Sequence, residues 1–399
     1  MACTYCYQIN KHHHKMDIQT AKKFLDRILD LKNPDPYINL GNTPGIILEF
    51  IGGEPFLEVQ LIDQICDYFM QTCIKLDHPW LTKFRISICS NGLLYFTPEV
   101  QKFITKWNYV LSFSISIDGN KKLHDSCRVD LNGEGTYDRA IAAVKHYVSH
   151  FKGDIGSKMT LAPNNIMHTK EAVIGLLENG YKKIHLNCVY EEGWNNDLAR
   201  ILYFQLKELA DYILDKKIYK DINISMFDYE GFHPMDETDN SNWCGGVNNL
   251  MLSVDYKGDI YPCIRYMESS LGSDQKPVII GNIEHGIYVT EEEKAWKEEL
   301  SDVTRKNQST EECWNCPIAF GCAWCSAYNY QKFGTVRHRA TFICPMHKAT
   351  SLANAYYWNN VLRELDLEQR FKIWCPKEWA LEIIPEEEWN LLKQLESTN

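Results

Sequence analysis

Between residues 45 and 215 the sequence alternates short apolar runs with longer amphipathic segments, and this alternation limits the folds open to the chain. The apolar runs have the length of strands and cover residues 45–51, 85–89, 111–117, 157–161 and 183–188. Helical periodicity marks residues 17–31, 57–73, 98–107, 137–151, 169–179 and 196–215. Strands that alternate with helices form a parallel sheet, open or closed. The predicted fold class is therefore α/β.

The segments that follow the predicted strands are residues 52–55, 90–92, 118–119, 162–163 and 189–190. In parallel α/β folds the carboxyl ends of the strands meet at one edge of the sheet, and the functional site lies there. All five segments are suited to such a site.

A second, smaller unit is predicted after residue 235, because the composition turns polar around residues 227–241. Residues 250–254 and 260–261 then indicate a β-hairpin that turns at Lys257-Gly258. A helix is expected near residues 351–365, before an end rich in tryptophan. The predicted domains are residues 1–235, 236–350 and 351–399.

Composition restricts the compartment and the partners. The chain has 15 cysteines in 399 residues and no signal-peptide pattern, which favours a reducing compartment, the cytoplasm, over secretion. Clustered Cys-x2-Cys spacings there indicate metal or iron–sulfur ligation more often than disulfides. The net charge is −11 and no basic block is present, so no nucleic-acid partner is expected. No apolar run is long enough for a membrane span, so no membrane partner is expected either.

Seven cysteines form a series with close spacings. They are Cys244, Cys263, Cys313, Cys316, Cys322, Cys325 and Cys344. Such spacings predict a metal-binding module, and both structural zinc in a ribbon-like module and iron–sulfur clusters remain open. Six others are expected to pack as small hydrophobic side chains: Cys66, Cys73, Cys89, Cys127, Cys188 and Cys375.

The remaining pair, Cys3 and Cys6, begins the chain. With Gly-Gly-Glu-Pro at residues 52–55 and the later cysteines, it resembles the radical S-adenosylmethionine (SAM) enzymes that carry a SPASM domain. The segment from Cys316 to Cys325 looks most like maturases of cysteine-rich ribosomal peptides. The family motif is Cys-x3-Cys-x2-Cys, and Cys3 and Cys6 match its last two cysteines. The first would fall before Met1, so the resemblance implies a sequence that begins inside the motif.

The resemblance implies a partial (β/α)6 TIM-like barrel, its first strand missing upstream, followed by a SPASM domain with a β-hairpin and two iron–sulfur clusters. Cys3 and Cys6 would be catalytic ligands of a [4Fe–4S] cluster whose open iron binds SAM. The residues expected to contact SAM are Tyr5, Gly52, Gly53, Glu54, Pro55, Ser90, Asn91, Ser116, Asp118 and Arg128. Glycines allow close backbone approach, and Glu54 can receive the SAM ammonium group. For the last five residues, capping of strand ends is the alternative.

The resemblance also divides the cysteine series between two auxiliary [4Fe–4S] clusters. One set is complete, with Cys313, Cys316, Cys322 and Cys344. The other set has only three thiolates, from Cys244, Cys263 and Cys325, which leaves an iron open for a substrate cysteine. In sulfatase-maturing relatives an aspartate follows the hairpin cysteine, whereas Ile264 stands here, which argues against that activity.

The predicted function is that of an enzyme, a radical SAM peptide maturase. It would cleave SAM reductively and use the 5′-deoxyadenosyl radical to install a thioether crosslink in a cysteine-rich precursor peptide. An electron donor such as flavodoxin or ferredoxin is implied. The alternatives are another peptide modification, such as a carbon–carbon crosslink or formylglycine formation, and a non-catalytic zinc or iron–sulfur module.

Overall fold

The structure is a computed structural model that describes residues 2–3, 6, 8, 10, 13–35, 37–38, 40–41, 44–151, 155–242, 244–272 and 275–397. Its strands are β1 (Ala2–Cys3), β2 (Ile46–Phe50), β3 (Phe84–Ser90), β4 (Leu111–Ile115), β5 (Arg128–Val129), β6 (Gly156–Leu161), β7 (Lys183–Cys188), β8 (Asn223–Ile224), β9 (Ser253–Val254), β10 (Asp259–Tyr261), β11 (Gly281–Asn282) and β12 (Gly286–Ile287). Its helices are α1 (Ile18–Ile28), α2 (Val59–Leu76), α3 (Pro98–Trp107), α4 (Lys121–Cys127), α5 (Tyr137–Phe151), α6 (Thr169–Glu178), α7 (Asn196–Asp215), α8 (Glu291–Ser301), α9 (Arg305–Gln308), α10 (Glu311–Trp314), α11 (Ser326–Phe333), α12 (Cys344–Glu364), α13 (Lys377–Leu381) and α14 (Glu386–Glu396). None of the helices in these ranges has both the length and the apolar character needed to cross a membrane.

Six strands form a parallel sheet in the order β2-β3-β4-β6-β7-β8. Strands that are neighbours in this sheet also follow one another along the chain. At least one helix lies between each two of them, as in repeated βα units. The predicted α/β fold is confirmed. The sequence predicted only five of these strands, because the two residues of β8 are too few to show an apolar pattern. β8 lies at the edge of the sheet opposite β2, and the strand predicted upstream of residue 1 stays a prediction.

The two faces of this sheet differ in polarity, because successive side chains of a strand point to opposite faces. In β3, Ile86 and Ile88 are 0% and 1% exposed and belong to the main hydrophobic core. Ser87 and Cys89 alternate with them and are partly exposed. The strand register places Cys89 beside Ser114 of β4, which is also partly exposed. The face that carries these polar side chains can therefore receive a polar ligand.

A small antiparallel sheet follows, in the order β12-β11-β10-β9. It contains the predicted hairpin, with β9 paired to β10 around Gly258. Gly258 has a φ of +86°, and a Cβ there would lie 2.6 Å from the Ile283 side chain, so the turn requires glycine. Ile260 and Tyr266, both 0% exposed, centre a second hydrophobic core. The two-residue strands β11 and β12 were not predicted.

The C-terminal helices complete the main core. Helix α12 packs along α7, and the hydroxyl of Tyr356 donates to Asp211 at 2.5 Å. Glu388 of α14 accepts hydrogen bonds from Lys207 at 2.6 Å and from the Tyr203 hydroxyl at 3.0 Å. Leu392 is 0% exposed within the same core as the large sheet. The predicted boundary at residue 350 falls inside α12, which carries the last cysteine of the series at its start.

The N-terminal region is fastened to the small sheet. Arg27 of α1 donates to the Ile283 carbonyl from Nε at 3.2 Å and from Nη2 at 3.0 Å. The Asp35 carboxylate accepts from the Ile287 amide at 3.2 Å. The Asn10 side chain donates to the Leu271 carbonyl at 2.9 Å. Asn10, Arg27 and Asp35 thus connect the N-terminal region to residues 271–287, in and beside the small sheet.

Candidate functional site

The loop after β2 carries the Glu54 carboxylate at the carboxyl end of the parallel sheet. Its Oε1 accepts from the Ser90 hydroxyl at 2.8 Å and from the Phe56 amide at 3.1 Å. Its Oε2 accepts from the Asn91 amide at 2.8 Å. Ser90 and Asn91 lie at the end of the neighbouring strand, so three of the predicted SAM contacts form one connected group.

Burial raises the pKa of Glu54 above the ordinary value of 4.5, although the hydrogen bonds from Asn91, Ser90 and Phe56 oppose the rise. The carboxylate is therefore held in position in surroundings that disfavour its negative charge. A cationic group brought beside it would relieve that penalty.

Gly52 and Gly53 lie beside this carboxylate, ahead of Pro55. Neither has a positive φ. A Cβ on either residue would meet no other atom within 4 Å. Among the described residues, neither a strained backbone nor a close neighbour requires glycine at these positions. The positions that a Cβ would take at the two glycines are open and exposed, so a bound molecule can approach the backbone directly ahead of Glu54.

Ser116 lies on the polar face of the sheet. Its hydroxyl is 3.3 Å from the Cys89 sulfur, and its amide donates to the Ser90 carbonyl at 2.9 Å. This places Ser116 next to the strand end that positions Glu54. Cys89 is half-buried, in contrast to its predicted place in the core.

Asp118 and Arg128 form a buried ion pair. Arg128 Nε donates to Asp118 Oδ2 at 2.8 Å, and the two side chains are 11% and 0% exposed. Arg128 Nη1 also lies 3.8 Å from the Cys3 sulfur, because Cys3 pairs with Arg128 across β1 and β5. Arg128 thus connects the buried Asp118 carboxylate to the Cys3 sulfur. Its predicted contact with SAM stays a prediction.

Cys3 and Cys6 lie together at the start of the chain, where the Cys6 amide donates to the Cys3 carbonyl at 3.3 Å. Burial raises the pKa of Cys3, Arg128 opposes the rise, and Cys6 adds to it. A cationic guanidinium beside a cysteine suits a ligand that must bind as thiolate. Tyr5, a predicted SAM contact, lies outside the described residues.

The later cysteines divide into two groups in space. In the first, burial raises the pKa of Cys263 to about 12, with Cys325 and Cys244 adding to the rise. The Cys244 sulfur lies 3.0 Å from the Ser326 hydroxyl, which accepts from the Tyr266 hydroxyl at 3.0 Å. The hydrogen-bonding neighbour of the Cys244 sulfur in this group is therefore neutral.

The second group contains Cys313, Cys316, Cys322 and Cys344. Burial raises the pKa of Cys344 to about 12, and the other three cysteines add to the rise. Cys322 behaves differently: burial would raise its pKa, but the charges and hydrogen bonds of His347 and Arg339 lower it to about 6. Both groups agree with the division that the resemblance implied, although the role of their members as ligands stays a prediction.

All 15 cysteines of the chain are free thiols. Of the six expected in the core, Cys66, Cys73, Cys127, Cys188 and Cys375 are buried. Within the described ranges, no group of three or more histidine, cysteine, aspartate or glutamate side chains is close enough to hold a single metal ion. The ligands of an iron–sulfur cluster bind different irons, so their sulfurs need not surround one ion.

Three side chains around the cysteine groups were missed by the sequence analysis. Arg339 and His347 contact Cys322. Arg265 lowers the pKa of Cys325, which burial raises, and forms a 2.9 Å ion pair with Glu191 after β7. The sequence gives no spacing signal for these contacts, because the loops that bring the residues together have irregular lengths.

Comparison with known proteins supports a cluster-binding chain. A family model described as "4Fe-4S single cluster domain" matches residues 1–141. The uncharacterized protein MJ0907 of Methanocaldococcus jannaschii is 27% identical over 190 residues, which are 47% of this chain and 58% of that protein. The match thus spans less than two thirds of this curated relative.

Solved structures match over nearly the whole chain. The structure of anSMEcpe with bound AdoMet superposes with a TM-score of 0.61 at 17% identity, covering 91% of this chain and 94% of that one. Streptococcus suis SuiB bound to S-adenosylmethionine gives a TM-score of 0.53 at 17% identity, covering 86% and 73%. The chain has the fold of these proteins. The resemblance predicted from the motifs is thus confirmed at the level of the fold.

Two further matches hold a peptide as well. The structure of anSMEcpe with AdoMet and the Kp18Cys peptide has a TM-score of 0.61 at 18% identity, over 92% of this chain and 95% of that one. SuiB bound to the precursor peptide SuiA has a TM-score of 0.53 at 15% identity, over 85% and 72%. This fold therefore accommodates both SAM and a peptide in other proteins.

Proposed function

We propose that the protein is a radical SAM enzyme that modifies a peptide. One observation carries this proposal. Two glycines that the described fold does not require stand directly before Glu54, with open space where their side chains would be, and Ser90 and Asn91 hold the Glu54 carboxylate at the carboxyl end of the parallel sheet. A carboxylate that burial disfavours suits the ammonium group of SAM, and the bare backbone at Gly52 and Gly53 suits close approach by the same ligand.

The N-terminal residues fit the [4Fe–4S] cluster of such an enzyme. Cys3 and Cys6 would supply two of its thiolates, and the Arg128 guanidinium near Cys3 would favour the thiolate form. When bound, the cluster and SAM together supply a 5′-deoxyadenosyl radical that removes a hydrogen atom from the substrate. Glu54 would hold the SAM ammonium, and Ser116 would line the polar face beside it.

The later cysteines fit two auxiliary [4Fe–4S] clusters of a SPASM domain. Cys313, Cys316, Cys322 and Cys344 would hold one cluster with four thiolates. Cys244, Cys263 and Cys325 would hold the other and leave one coordination position for a substrate cysteine. Free thiols throughout the chain suit both this role and a cytoplasmic location, with flavodoxin or ferredoxin as the electron donor.

The substrate proposed is a cysteine-rich precursor peptide, and the product a thioether crosslink. The three-thiolate set is what favours this product, since a substrate thiol has a place to bind. Formylglycine formation is less well supported, because Ile264 follows Cys263 where an acid–base residue would be needed. A peptide substrate is supported by the anSMEcpe and SuiB structures, in which proteins of this fold hold a peptide.

The test is an anaerobic reconstitution of the full-length gene product with iron and sulfide. Iron, sulfide and zinc per chain are measured, and 5′-deoxyadenosine is assayed with SAM and dithionite. About twelve irons per chain and formation of 5′-deoxyadenosine are expected. A matched variant, Glu54→Gln, should keep its iron and lose most 5′-deoxyadenosine formation. Zinc without sulfide would establish the non-catalytic metal module instead.

Thioether formation is tested separately, by incubating the active enzyme with cysteine-rich precursor peptides encoded next to its gene. A product two mass units lighter, with one thiol fewer available to alkylation, is expected. A peptide that loses two mass units but keeps every thiol alkylatable would exclude the thioether, and a carbonyl-specific reagent would then separate formylglycine, which reacts, from a carbon–carbon crosslink, which does not.

A further inference from the structure

Arg339 lies in the loop between α11 and α12. It contacts Cys322, a member of the group of four cysteines. Its Nη2 donates to the Cys322 sulfur at 3.0 Å and to the Cys322 carbonyl at 3.0 Å. Its guanidinium carbon stands 5.7 Å from the centre of the Trp324 ring. These contacts direct one cationic donor at one cysteine sulfur.

The charge of Arg339 is not balanced by an acidic neighbour. Among the described residues, no carboxylate forms an ion pair with it. Arg337, two positions earlier, differs in this respect, since it pairs with Glu299 at 3.0 Å and Asp302 at 3.1 Å. Within the described part of the chain, the positive charge of Arg339 therefore acts on Cys322 without a paired carboxylate, and His347 acts on Cys322 in the same direction.

Among the residues that the structure describes, the other cysteine group has no equivalent of Arg339. The Cys244 sulfur contacts the neutral Ser326 hydroxyl. Arg265, the cation near Cys325, is paired with Glu191 at 2.9 Å. One group thus faces an unbalanced cation, and the other faces a neutral donor and a balanced ion pair.

This asymmetry matters for redox chemistry because two quantities set the potential of an iron–sulfur cluster. They are its net charge and the hydrogen bonds to its sulfurs. With a substrate thiolate at its open position, the three-cysteine cluster would carry the same number of thiolates as the other. The surrounding protein would then decide which cluster is easier to reduce.

We infer that Arg339 raises the reduction potential of the cluster held by Cys313, Cys316, Cys322 and Cys344, and makes it the more easily reduced of the two auxiliary clusters. This inference rests on the proposed function. Arg339 acts through Cys322 and not on the substrate. Its role is to adjust the reduction potential of the cluster. A donated hydrogen bond and a nearby positive charge both stabilise the extra electron of the reduced cluster.

The test is a redox titration followed by electron paramagnetic resonance. Cys3→Ala and Cys6→Ala are introduced together first, so that only the auxiliary clusters contribute signals. Arg339→Met removes both charge and hydrogen bond, Arg339→Lys keeps the charge, and Arg337→Met is the matched control. Iron and sulfide content and circular dichroism establish that each variant is folded and loaded.

We expect Arg339→Met to shift the reduction equilibrium of one signal at least tenfold toward the oxidised form, which is about 59 mV for a one-electron couple. Arg339→Lys should shift it less, while the second signal and the Arg337→Met protein stay unchanged. Two loaded auxiliary clusters with no shift in Arg339→Met would overturn the inference and leave the proposed function standing. Absence of the auxiliary clusters from the parent protein would overturn both.

Discussion

Gly53 and Gly119 show that identical residues can have different reasons to be present. Gly119 has a φ of +81°, and a Cβ there would lie 2.2 Å from the Cβ of Ala172. Gly53 has neither constraint. The described fold therefore requires glycine at residue 119, and only a ligand would require it at residue 53.

This contrast gives a paired prediction. Gly53→Ala should change the free energy of unfolding by less than about 0.5 kcal/mol and weaken SAM binding, because the added methyl group occupies ligand space. Gly119→Ala should cost more than about 1 kcal/mol. Urea unfolding and equilibrium dialysis with labelled SAM measure the two effects. Unchanged SAM affinity in Gly53→Ala would contradict the assignment of the loop.

The raised pKa of Glu54 predicts how SAM binding depends on pH. The ionised carboxylate attracts the SAM ammonium, and burial raises the pKa above the ordinary 4.5. SAM affinity should therefore decline as the pH falls through the pKa of Glu54, which lies above 4.5. Binding isotherms across this range measure it. Glu54→Gln, which cannot titrate, should bind weakly without this decline.

At the scale of elements, the ion pair of Asp118 and Arg128 connects the segment after β4 to β5. Asp118 is 0% exposed, and Arg128→Met would remove the guanidinium that pairs with its buried carboxylate. This should cost about 3–5 kcal/mol of unfolding free energy. Adding Asp118→Asn should recover part of the loss, since no charge then remains buried. A loss below about 1 kcal/mol in the single variant would mean that solvent reaches the pair.

Long elements could be predicted from the sequence, and short ones could not. Helices α3, α5 and α7 have the predicted bounds, because ten or more residues display a full apolar face. Strands β1, β5 and β8 have two residues each, and tertiary pairing alone defines them. The cysteines of the candidate site were predicted from their spacing, and their role as ligands stays a prediction. Arg339 and the ion pair between Arg265 and Glu191 were not, since they depend on how loops fold back.

At the scale of the whole molecule, the C-terminal helices belong to the core of the large sheet. Leu392 of α14 is 0% exposed, whereas Leu381 at the end of α13 is 39% exposed. Leu392→Ala should cost about 2–5 kcal/mol, and Leu381→Ala should stay within about 0.5 kcal/mol. Chemical denaturation measures both. Equal effects of the two changes would mean that the tail packs independently of the sheet.

The bonds of Asn10 to Glu268 and Leu271 also have a consequence for the timing of assembly. Asn10 and Glu268 are separated by 258 positions. At roughly 5–20 residues per second, a ribosome needs about 13–50 s to make the intervening chain. Throughout that interval the nascent N-terminus lacks the partner that fastens it. We therefore expect the segment around Asn10 to become fastened only after the chain has been made through Glu268.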